Sequence, residues 1–269
     1  MEDSLTFSFG KNWQNFSRVL DGDRHERARL SLAEFLGVET LEQKTFLDIG
    51  CGSGLFSHAA YRLGAKQVVS FDVDPLSVEC CERLHREAGS PDNWQVHRGS
   101  VLDDDLISRL GKFDVVYSWG VLHHTGSMWK AIRNSASLVG DGGRYYIALY
   151  NNVGGIRGSR TWWRIKRLYN SSPAPAQRLL ESTFTIGYLA GDLIRLKNPL
   201  KTIRSYKKNR GMSWRTDIID WLGGYPYEYA TVEEVFKFMK AEFPDMTLVN
   251  IKTTNGLGTN SFLFTNGAV

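Results

Sequence analysis

The sequence has 269 residues, of which 42% are apolar and 23% charged, and it contains 26 glycines. These proportions are ordinary for a folded globular protein and exclude collagen-like, coiled-coil and wholly disordered chains. The cysteines Cys51, Cys80 and Cys81 form no CxxC pair, so we expect neither a metal site nor disulfides, and a cytoplasmic location. The acidic N-terminus and the lack of a long apolar run argue against secretion and against a transmembrane segment.

Charge is distributed unevenly along the chain. The formal net charge is only +4, yet residues 155–215 contain 14 lysines and arginines against the two acidic residues Glu181 and Asp192. A cationic segment on an otherwise acidic body favours an anionic partner. The alternative is a solvated helical face whose long basic side chains cover apolar surface.

The first half of the chain predicts alternating strands and helices. We expect residues 1–37 to form helices that lie across the sheet opening, followed by a cofactor-binding core over 38–152. Within that core the predicted strands are 45–49, 67–71, 94–98, 113–118 and 144–150, and the predicted helices are 55–62, 75–87, 106–110 and 128–139, the last ended by a GDGG turn. This alternation predicts an α/β fold with a doubly wound, Rossmann-like parallel sheet.

The second half begins with an interruption of that pattern. Residues 153–229 predict a helical, basic cap inserted into the core, with helices over 162–169 and 177–196. Residues 230–269 then complete the core. Thr231 and Glu234 have capping-box spacing at the start of a helix that ends at Phe243. Strands over 246–253 and 261–265 should form an antiparallel pair, which brings the sheet to seven strands.

The turn after the first predicted strand is the most informative motif. Residues 48–54 read DIGCGSG, and Gly50, Gly52 and Gly54 permit positive φ angles and a close approach of backbone N–H groups to a ligand. The GxGxG spacing differs from the GxGxxG of dinucleotide-binding proteins, and Asp48 before the turn would repel a pyrophosphate. A carboxylate there suits a ligand carrying an ammonium or sulfonium group. Cys51 is a candidate cofactor contact in the turn and is expected to be a small space-filling residue and not a nucleophile.

Further candidate cofactor contacts follow the next three strands. Asp72 lies 24 positions after Asp48, where a carboxylate can accept hydrogen bonds from both ribose hydroxyls. Ligands of doubly wound sheets bind at the carboxyl ends of the strands. The other predicted contacts at this edge are Val73, Ser100, Val101, Leu102, Ser118 and Trp119.

Together these stretches resemble the class I S-adenosylmethionine-dependent methyltransferases. The resemblance covers about residues 37–151 and the final helix and strands, and rests on LDIGCGSG, SFDVDP, GSVLDD, FDVVYSWGVLHHT and LVGDGGRYYIALYN. It implies the fold, S-adenosylmethionine as cofactor, S-adenosylhomocysteine as product, and methyl transfer. Ser100 departs from the family, which often has an acidic residue there against the adenine amine. FGKNWQNF and DWLGGYPYEYA are similar to an uncharacterised bacterial small-molecule methyltransferase subgroup, which supplies no acceptor.

Candidate chemistry residues lie at the same sheet edge. His123 and His124 follow the fourth strand, where a histidine can remove a proton from an acceptor hydroxyl, although either could simply pack the loop. Tyr150 and Asn151 end the fifth strand and could orient an acceptor. Residues 217–228 predict a loop that faces the acceptor or packs under the cap, with candidate contacts Asp217, Asp220, Trp221, Tyr225 and Tyr227.

The expected function is O-methylation of a small metabolite, a sugar, or a glycan- or nucleotide-linked acceptor. The cationic cap would suit an anionic acceptor. One alternative is an RNA (tRNA) methyltransferase that uses the basic cap for backbone contacts. Another is a non-catalytic cofactor-binding module. The apolar run 184–196 with its basic flanks could also rest on an anionic membrane.

Overall fold

The computed structural model describes residues 7–17, 21–194 and 214–267. Its sheet has seven strands in the order β3-β2-β1-β4-β5-β7-β6. The strands are β1 Thr45–Ile49, β2 Gln67–Asp72, β3 Trp94–Arg98, β4 Phe113–Trp119, β5 Val139–Tyr150, β6 Met246–Lys252 and β7 Thr259–Asn266. The first five pair in parallel, and β7 is antiparallel to both β5 and β6. The predicted α/β, Rossmann-like sheet with an antiparallel last pair is confirmed.

Helices cover both faces of this sheet and extend beyond its carboxyl edge. In chain order they are α1 Gly10–Ser17, α2 Gly22–Leu36, α3 Leu55–Arg62, α4 Pro75–Glu87, α5 Asp104–Leu110, α6 Met128–Ala136, α7 Ser159–Ser171, α8 Ala174–Ile194, α9 Trp214–Gly223 and α10 Val232–Glu242. A short 3-10 turn, Leu122–His124, follows β4. Over the described ranges no helix has the length and apolar character needed to cross a membrane.

Two apolar layers hold the sheet. One layer packs α6 and α10 against one face, and the other packs α2, α3 and α4 against the opposite face. Central strands such as β1, with the sequence TFLDI, are buried on both faces and are therefore rich in apolar residues. Thr231 accepts from the backbone N–H of Glu234, whose carboxylate accepts from the Thr231 backbone, so the predicted capping box starts α10.

The GDGG sequence was wrongly assigned as a turn that ends a helix. Helix α6 ends at Ala136, and β5 already begins at Val139. Phe113 pairs with Val139 and Val115 with Arg144, so the intervening residues form an irregularity within the strand. A Cβ atom on Gly143 would lie 2.8 Å from the Gly140 carbonyl oxygen, which explains why small residues occupy this bulge.

The cap differs from its prediction in one segment. Residues 217–223, expected to be a loop, are part of α9. Ile218 and Leu222, four residues apart, are both buried and pack with Tyr169 of α7, which is the spacing that stabilises a helix against a neighbour. Residues 195–213, which contain much of the predicted basic cluster and the end of the helix expected to reach residue 196, lie outside the described residues.

Candidate active site

The glycine turn after β1 has the backbone that its sequence predicts. Gly50, Gly52 and Gly54 have φ angles of 73°, 53° and 78°, in the region that L side chains rarely adopt. The Gly50 backbone N–H donates to the Phe71 carbonyl oxygen at 2.8 Å, which fixes the turn to β2. A Cβ on Gly52 would lie 2.8 Å from the Trp13 indole, and one on Gly54 would lie 2.8 Å from the Cys81 Sγ. Only glycine therefore allows these close contacts.

Asp48 lies beneath the turn, in a buried chain of hydrogen bonds. The residue is only 2% exposed, and its carboxylate accepts a hydrogen bond from the Ser57 hydroxyl at 2.5 Å. Ser57 accepts from Ser70 at 2.8 Å, and Ser70 accepts from the Trp94 indole N–H at 2.9 Å. Burial raises the pKa of Asp48 to about 7. The carboxylate is therefore bonded to α3 in this structure, and its predicted role facing a sulfonium stays a prediction.

Asp72 stands at the end of β2 beside the turn. One carboxylate oxygen accepts from the Gly52 backbone N–H at 3.0 Å and the other from that of Asp74 at 2.9 Å. Burial raises the pKa of Asp72 to about 6. Because each carboxylate oxygen has two lone pairs, acceptor capacity is left for the hydroxyls of a ligand.

The other predicted cofactor contacts divide into exposed and internally engaged residues. Val73 and Trp119 are exposed at the sheet edge. Val101 is buried in the core, and Ser118 is fully buried with its hydroxyl donating to the Ile49 carbonyl oxygen at 3.0 Å. Ser100 accepts from the Leu102 backbone N–H at 3.2 Å, and both residues are half-buried. Cys51 is buried, as expected of a space-filling residue.

A cavity of about 490 Å³ opens where the sheet edge meets the cap. Seven of its lining residues are Phe, Tyr or Trp, and among the described residues no lysine or arginine lines it. The lining consists of Phe9, Trp13, Trp119, Gly120, His123, His124, Tyr150, Phe184, Tyr188, Ile218, Asp220, Trp221, Gly258 and Thr259. The predicted cationic site for an anionic acceptor is therefore not found in the described walls.

His124 is held in one orientation at this cavity. Its Nδ1 lies 2.6 Å from the Pro226 carbonyl oxygen, which can only accept, so Nδ1 carries the proton and Nε2 keeps its lone pair. The ring packs against Phe9 and Tyr150 at centroid distances of 4.9 and 5.4 Å. Burial lowers the pKa of His124 to about 3, against a smaller opposing effect of the Pro226 hydrogen bond. The ring is therefore neutral at physiological pH.

His123 is bonded in the opposite sense. Its Nδ1 accepts from the Tyr150 backbone N–H at 3.3 Å, so the proton of the neutral ring lies on Nε2. The side chain is fully buried, and burial lowers its pKa well below the usual value. Its ring packs on that of Tyr150 at 4.0 Å. His123 thus has no free lone pair directed at a ligand.

The chain after α9 positions both histidines. The Glu228 backbone N–H donates to the His123 carbonyl oxygen at 2.9 Å, and the Glu228 carboxylate accepts from the backbone N–H of Met128 at the start of α6 at 3.0 Å. Ala230 donates to the Tyr150 carbonyl oxygen at 3.0 Å. These bonds lay the segment along the ends of β4 and β5, which brings the Pro226 carbonyl to His124.

Only part of the predicted acceptor set lines the cavity. Tyr150, Asp220 and Trp221 do, whereas Tyr225 and Tyr227 do not. The Asn151 amide donates to the Thr254 and Gly256 carbonyls at 2.9 and 3.1 Å, and its oxygen accepts from Asn260 at 3.0 Å, so it joins β5 to the β6–β7 connection. Asp217 lies in α9, and its side chain is outside the described part of the chain.

The N-terminal segment, expected to lie across the sheet opening, supplies cavity walls that were not among the predicted site residues. Phe9 directly precedes α1 and Trp13 lies on it, and both line the cavity. Hydrogen bonds on two sides hold α1 in place. Asp74 accepts from the Ser8 hydroxyl at 2.7 Å and the Gly10 backbone N–H at 2.9 Å, which joins α1 to the core. Asn12 donates to Asp220 at 2.9 Å, which joins it to the cap. The FGKNW sequence was the available signal, because it places two aromatics around a glycine.

Lys166, also not singled out from the sequence, is a fully buried cation behind the cavity wall. Its ammonium donates to the Trp221 carbonyl oxygen and lies 4.6 and 5.0 Å from the ring centroids of Trp221 and Tyr227. Burial lowers the pKa of Lys166 to about 7, partly opposed by the charge of Asp220. The Lys166 side chain thus joins α7 to α9 within the cap.

This buried lysine should make stability depend on pH. Its folded pKa lies below its unfolded one, so between about pH 7 and 10 the unfolded chain binds a proton that the native chain does not, and stability rises with pH. We expect the free energy of unfolding of wild type, measured with urea, to rise across this window by roughly 1–3 kcal/mol more than that of Lys166→Met. The control Lys240→Met, at an exposed lysine of α10, should keep the pH dependence of wild type. A Lys166→Met difference independent of pH would contradict the assignment.

Comparisons with known proteins agree with the fold and the glycine turn. A family model described as a methyltransferase domain matches residues 20–190, more than half of the chain. A ubiquinone biosynthesis O-methyltransferase from Methylobacterium sp. is 30% identical over 44% of this chain and 45% of its own length. A ribosomal protein L11 methyltransferase from Cyanothece sp. is 49% identical over 23% of this chain and 21% of its own. The chain thus matches less than half the length of these curated relatives.

The structural comparison covers nearly the whole chain. The magnesium protoporphyrin IX methyltransferase ChlM from Synechocystis PCC 6803, crystallised with S-adenosylhomocysteine, superposes with a TM-score of 0.56 and 15% identity over 96% of both chains. At that identity the likeness establishes the fold. With the matched family model, the seven-stranded sheet and the glycine turn, it shows that this chain belongs to the class I S-adenosylmethionine-dependent methyltransferases.

Proposed function

We propose that this protein is an O-methyltransferase for a flat, largely aromatic small molecule that carries a hydroxyl group, with His124 as the general base. The observation that carries the proposal is the orientation of His124. Its Nδ1 proton is committed to Pro226, which leaves the Nε2 lone pair for a ligand in an aromatic-walled cavity. Trp13, one wall of that cavity, lies against Gly52 of the glycine turn.

The residues at the sheet edge fit the family's cofactor. S-adenosylmethionine supplies the transferable methyl group on a sulfonium. The backbone of Gly50, Gly52 and Gly54 would hold it where side chains cannot fit, with Asp72 accepting from hydroxyls and Val73 giving apolar cover. Asp48, bonded to Ser57 of α3, would hold the end of β1 from which the turn begins.

His124 can remove the proton that the acceptor hydroxyl must lose. The ring is neutral at working pH because its pKa is about 3, so Nε2 holds no proton. The same low pKa makes the ring a weak base, so the proposed role rests on the position of the Nε2 lone pair and not on its basicity. The Pro226 carbonyl keeps the ring from rotating, which preserves this tautomer. His123 packs behind Tyr150 and does not share the role.

The walls of the cavity favour an aromatic acceptor over the other classes considered. Seven aromatic side chains offer flat apolar surface, and Asp220 places a carboxylate where an anionic acceptor would be repelled. Transfer to oxygen agrees with the name of the ubiquinone biosynthesis relative. No described contact supports sugar, glycan, nucleotide-linked or RNA acceptors, and the cytoplasmic location stays a prediction.

An acceptor panel tests the proposal. The protein is incubated with methyl-labelled S-adenosylmethionine and matched sets of phenols and catechols, sugar nucleotides, and tRNA. We expect label in a phenolic product at a rate at least about tenfold above every other class, since aromatic stacking positions that acceptor. Label confined to sugar nucleotides or tRNA would overturn the acceptor assignment. A protein that binds S-adenosylhomocysteine in calorimetry but labels no acceptor class would favour the non-catalytic cofactor-binding module.

A further inference from the structure

The cap has a row of exposed apolar side chains that the cavity does not use. Leu179, Ile186 and Leu193 of α8 are 68%, 67% and 61% exposed. They are seven residues apart, close to two helical turns, so they lie along one face of the helix. The opposite face of α8 contributes Phe184 and Tyr188 to the cavity. An aliphatic row of this kind on a soluble surface marks an interaction site.

The described surface around this row is cationic. Arg160, Arg164 and Arg167 lie on one face of α7 and are exposed, as are Arg157 and Arg178. The two acidic residues of the same region do not offset this charge at the surface, because Glu181 accepts a hydrogen bond from the Tyr169 hydroxyl at 2.8 Å and Asp192 is buried. Aliphatic and guanidinium groups are therefore presented together.

The arginine face of α7 and the aliphatic face of α8 point in the same direction. Trp162 and Ile165 of α7 and Leu180 and Phe184 of α8 pack with the cluster that contains Ile218 and Leu222 of α9. Because the inner faces of both helices meet α9, their outer faces point away from the body of the protein. Helices α7 and α8 are joined by only two residues and so form one hairpin surface.

We propose that the outer face of the α7–α8 hairpin binds the surface of an anionic lipid bilayer. Aliphatic side chains would enter the boundary between headgroups and acyl chains, and the arginines would contact lipid phosphates. A second copy of the chain fits poorly, since paired hairpins would bring arginines face to face. A surface that binds single-stranded RNA ordinarily presents aromatic rings on which the bases stack, whereas the exposed row is aliphatic. The lipid contact does not depend on the acceptor's identity.

Vesicle flotation tests the contact on the full-length chain. Wild type is mixed with phosphatidylcholine vesicles prepared with or without phosphatidylglycerol, and we expect it to float only with the anionic vesicles and less at high salt. Leu179→Gln/Ile186→Gln should lower the floating fraction at least about fivefold, because both side chains lose their apolar insertion. Leu30→Gln/Phe236→Gln, at residues 51% and 43% exposed on α2 and α10, is the matched control and should float like wild type.

Two further results decide the matter. S-adenosylhomocysteine affinity equal to wild type in both double variants shows that the fold is intact, since all four residues are exposed. Wild type that stays in the bottom fraction, or a hairpin variant that floats like the control, overturns the proposal. Salt-sensitive binding to tRNA without flotation would also overturn it and would assign the arginines to nucleic acid.

Discussion

Replacement of His124 by glutamine is expected to lower kcat by about 10²- to 10⁴-fold while the affinity for S-adenosylhomocysteine stays within about twofold of wild type. Glutamine keeps a polar side chain of similar length and can still donate to the Pro226 carbonyl oxygen, which His124 reaches at 2.6 Å. It cannot accept a full proton at neutral pH. The measurement is steady-state methyl transfer to the acceptor identified by the panel, together with calorimetry for the cofactor product.

The control is His97→Gln, at an exposed histidine of β3 that is remote from the cavity lining. It should leave kcat unchanged. Because the pKa of His124 is lowered to about 3, the ring is neutral throughout the usual assay range, so the ratio of wild-type to variant kcat should stay constant from about pH 5 to 8. A ratio that falls as the pH drops toward 5 would show that the pKa of His124 is not lowered as far as about 3. A variant that retains near-full turnover would rule out His124 as the base.

The fold could be predicted because its signals are local. Strands such as 45–49 and 113–118 are short segments rich in apolar residues and bounded by polar turns, and the parallel sheet buries them on both faces. The GDGG sequence was misassigned because its local signal was misleading. Glycine and aspartate predict a turn in isolation, but pairing with Phe113 on the neighbouring strand extends β5 through them. Pairing partners distant in sequence decide such cases.

The site could be predicted only where position alone fixes a residue's place. The carboxyl ends of parallel strands meet at one edge, which places the glycine turn, Asp72 and His124 together. Position does not show which polar groups are already satisfied. Asn151 also lies at the end of a strand, directly after β5, yet its amide donates to the carbonyl oxygens of residues 254 and 256. A single sequence contains no sign of partners so far along the chain.

The cavity walls show the same limit. Phe9 and Trp13 come from the first helix and its preceding residues, whereas Phe184 and Tyr188 come from the cap. Aromatic residues on amphipathic helices ordinarily pack into a core, so each alone predicts packing. Their convergence around His124 is a property of the tertiary structure, and with it the aromatic character of the acceptor site.

Replacement of Gly52 by alanine is expected to weaken S-adenosylhomocysteine binding by at least about 100-fold. The φ angle of 53° is unfavourable for any residue with a Cβ, and an added Cβ would lie 2.8 Å from the Trp13 indole. The turn would have to move, and the Gly52 backbone N–H would move with it away from Asp72, which now accepts from it at 3.0 Å. Calorimetry with S-adenosylhomocysteine measures the loss.

Two variants separate backbone strain from the collision. Gly142→Ala introduces the same left-handed strain at a φ angle of 66°, but its Cβ would meet nothing within 4 Å, so it should bind S-adenosylhomocysteine like wild type. Gly52→Ala/Trp13→Ala removes the indole and should regain part of the lost affinity if the collision displaces the turn. Binding by Gly52→Ala within twofold of wild type would mean that the turn does not hold the cofactor through its close backbone approach.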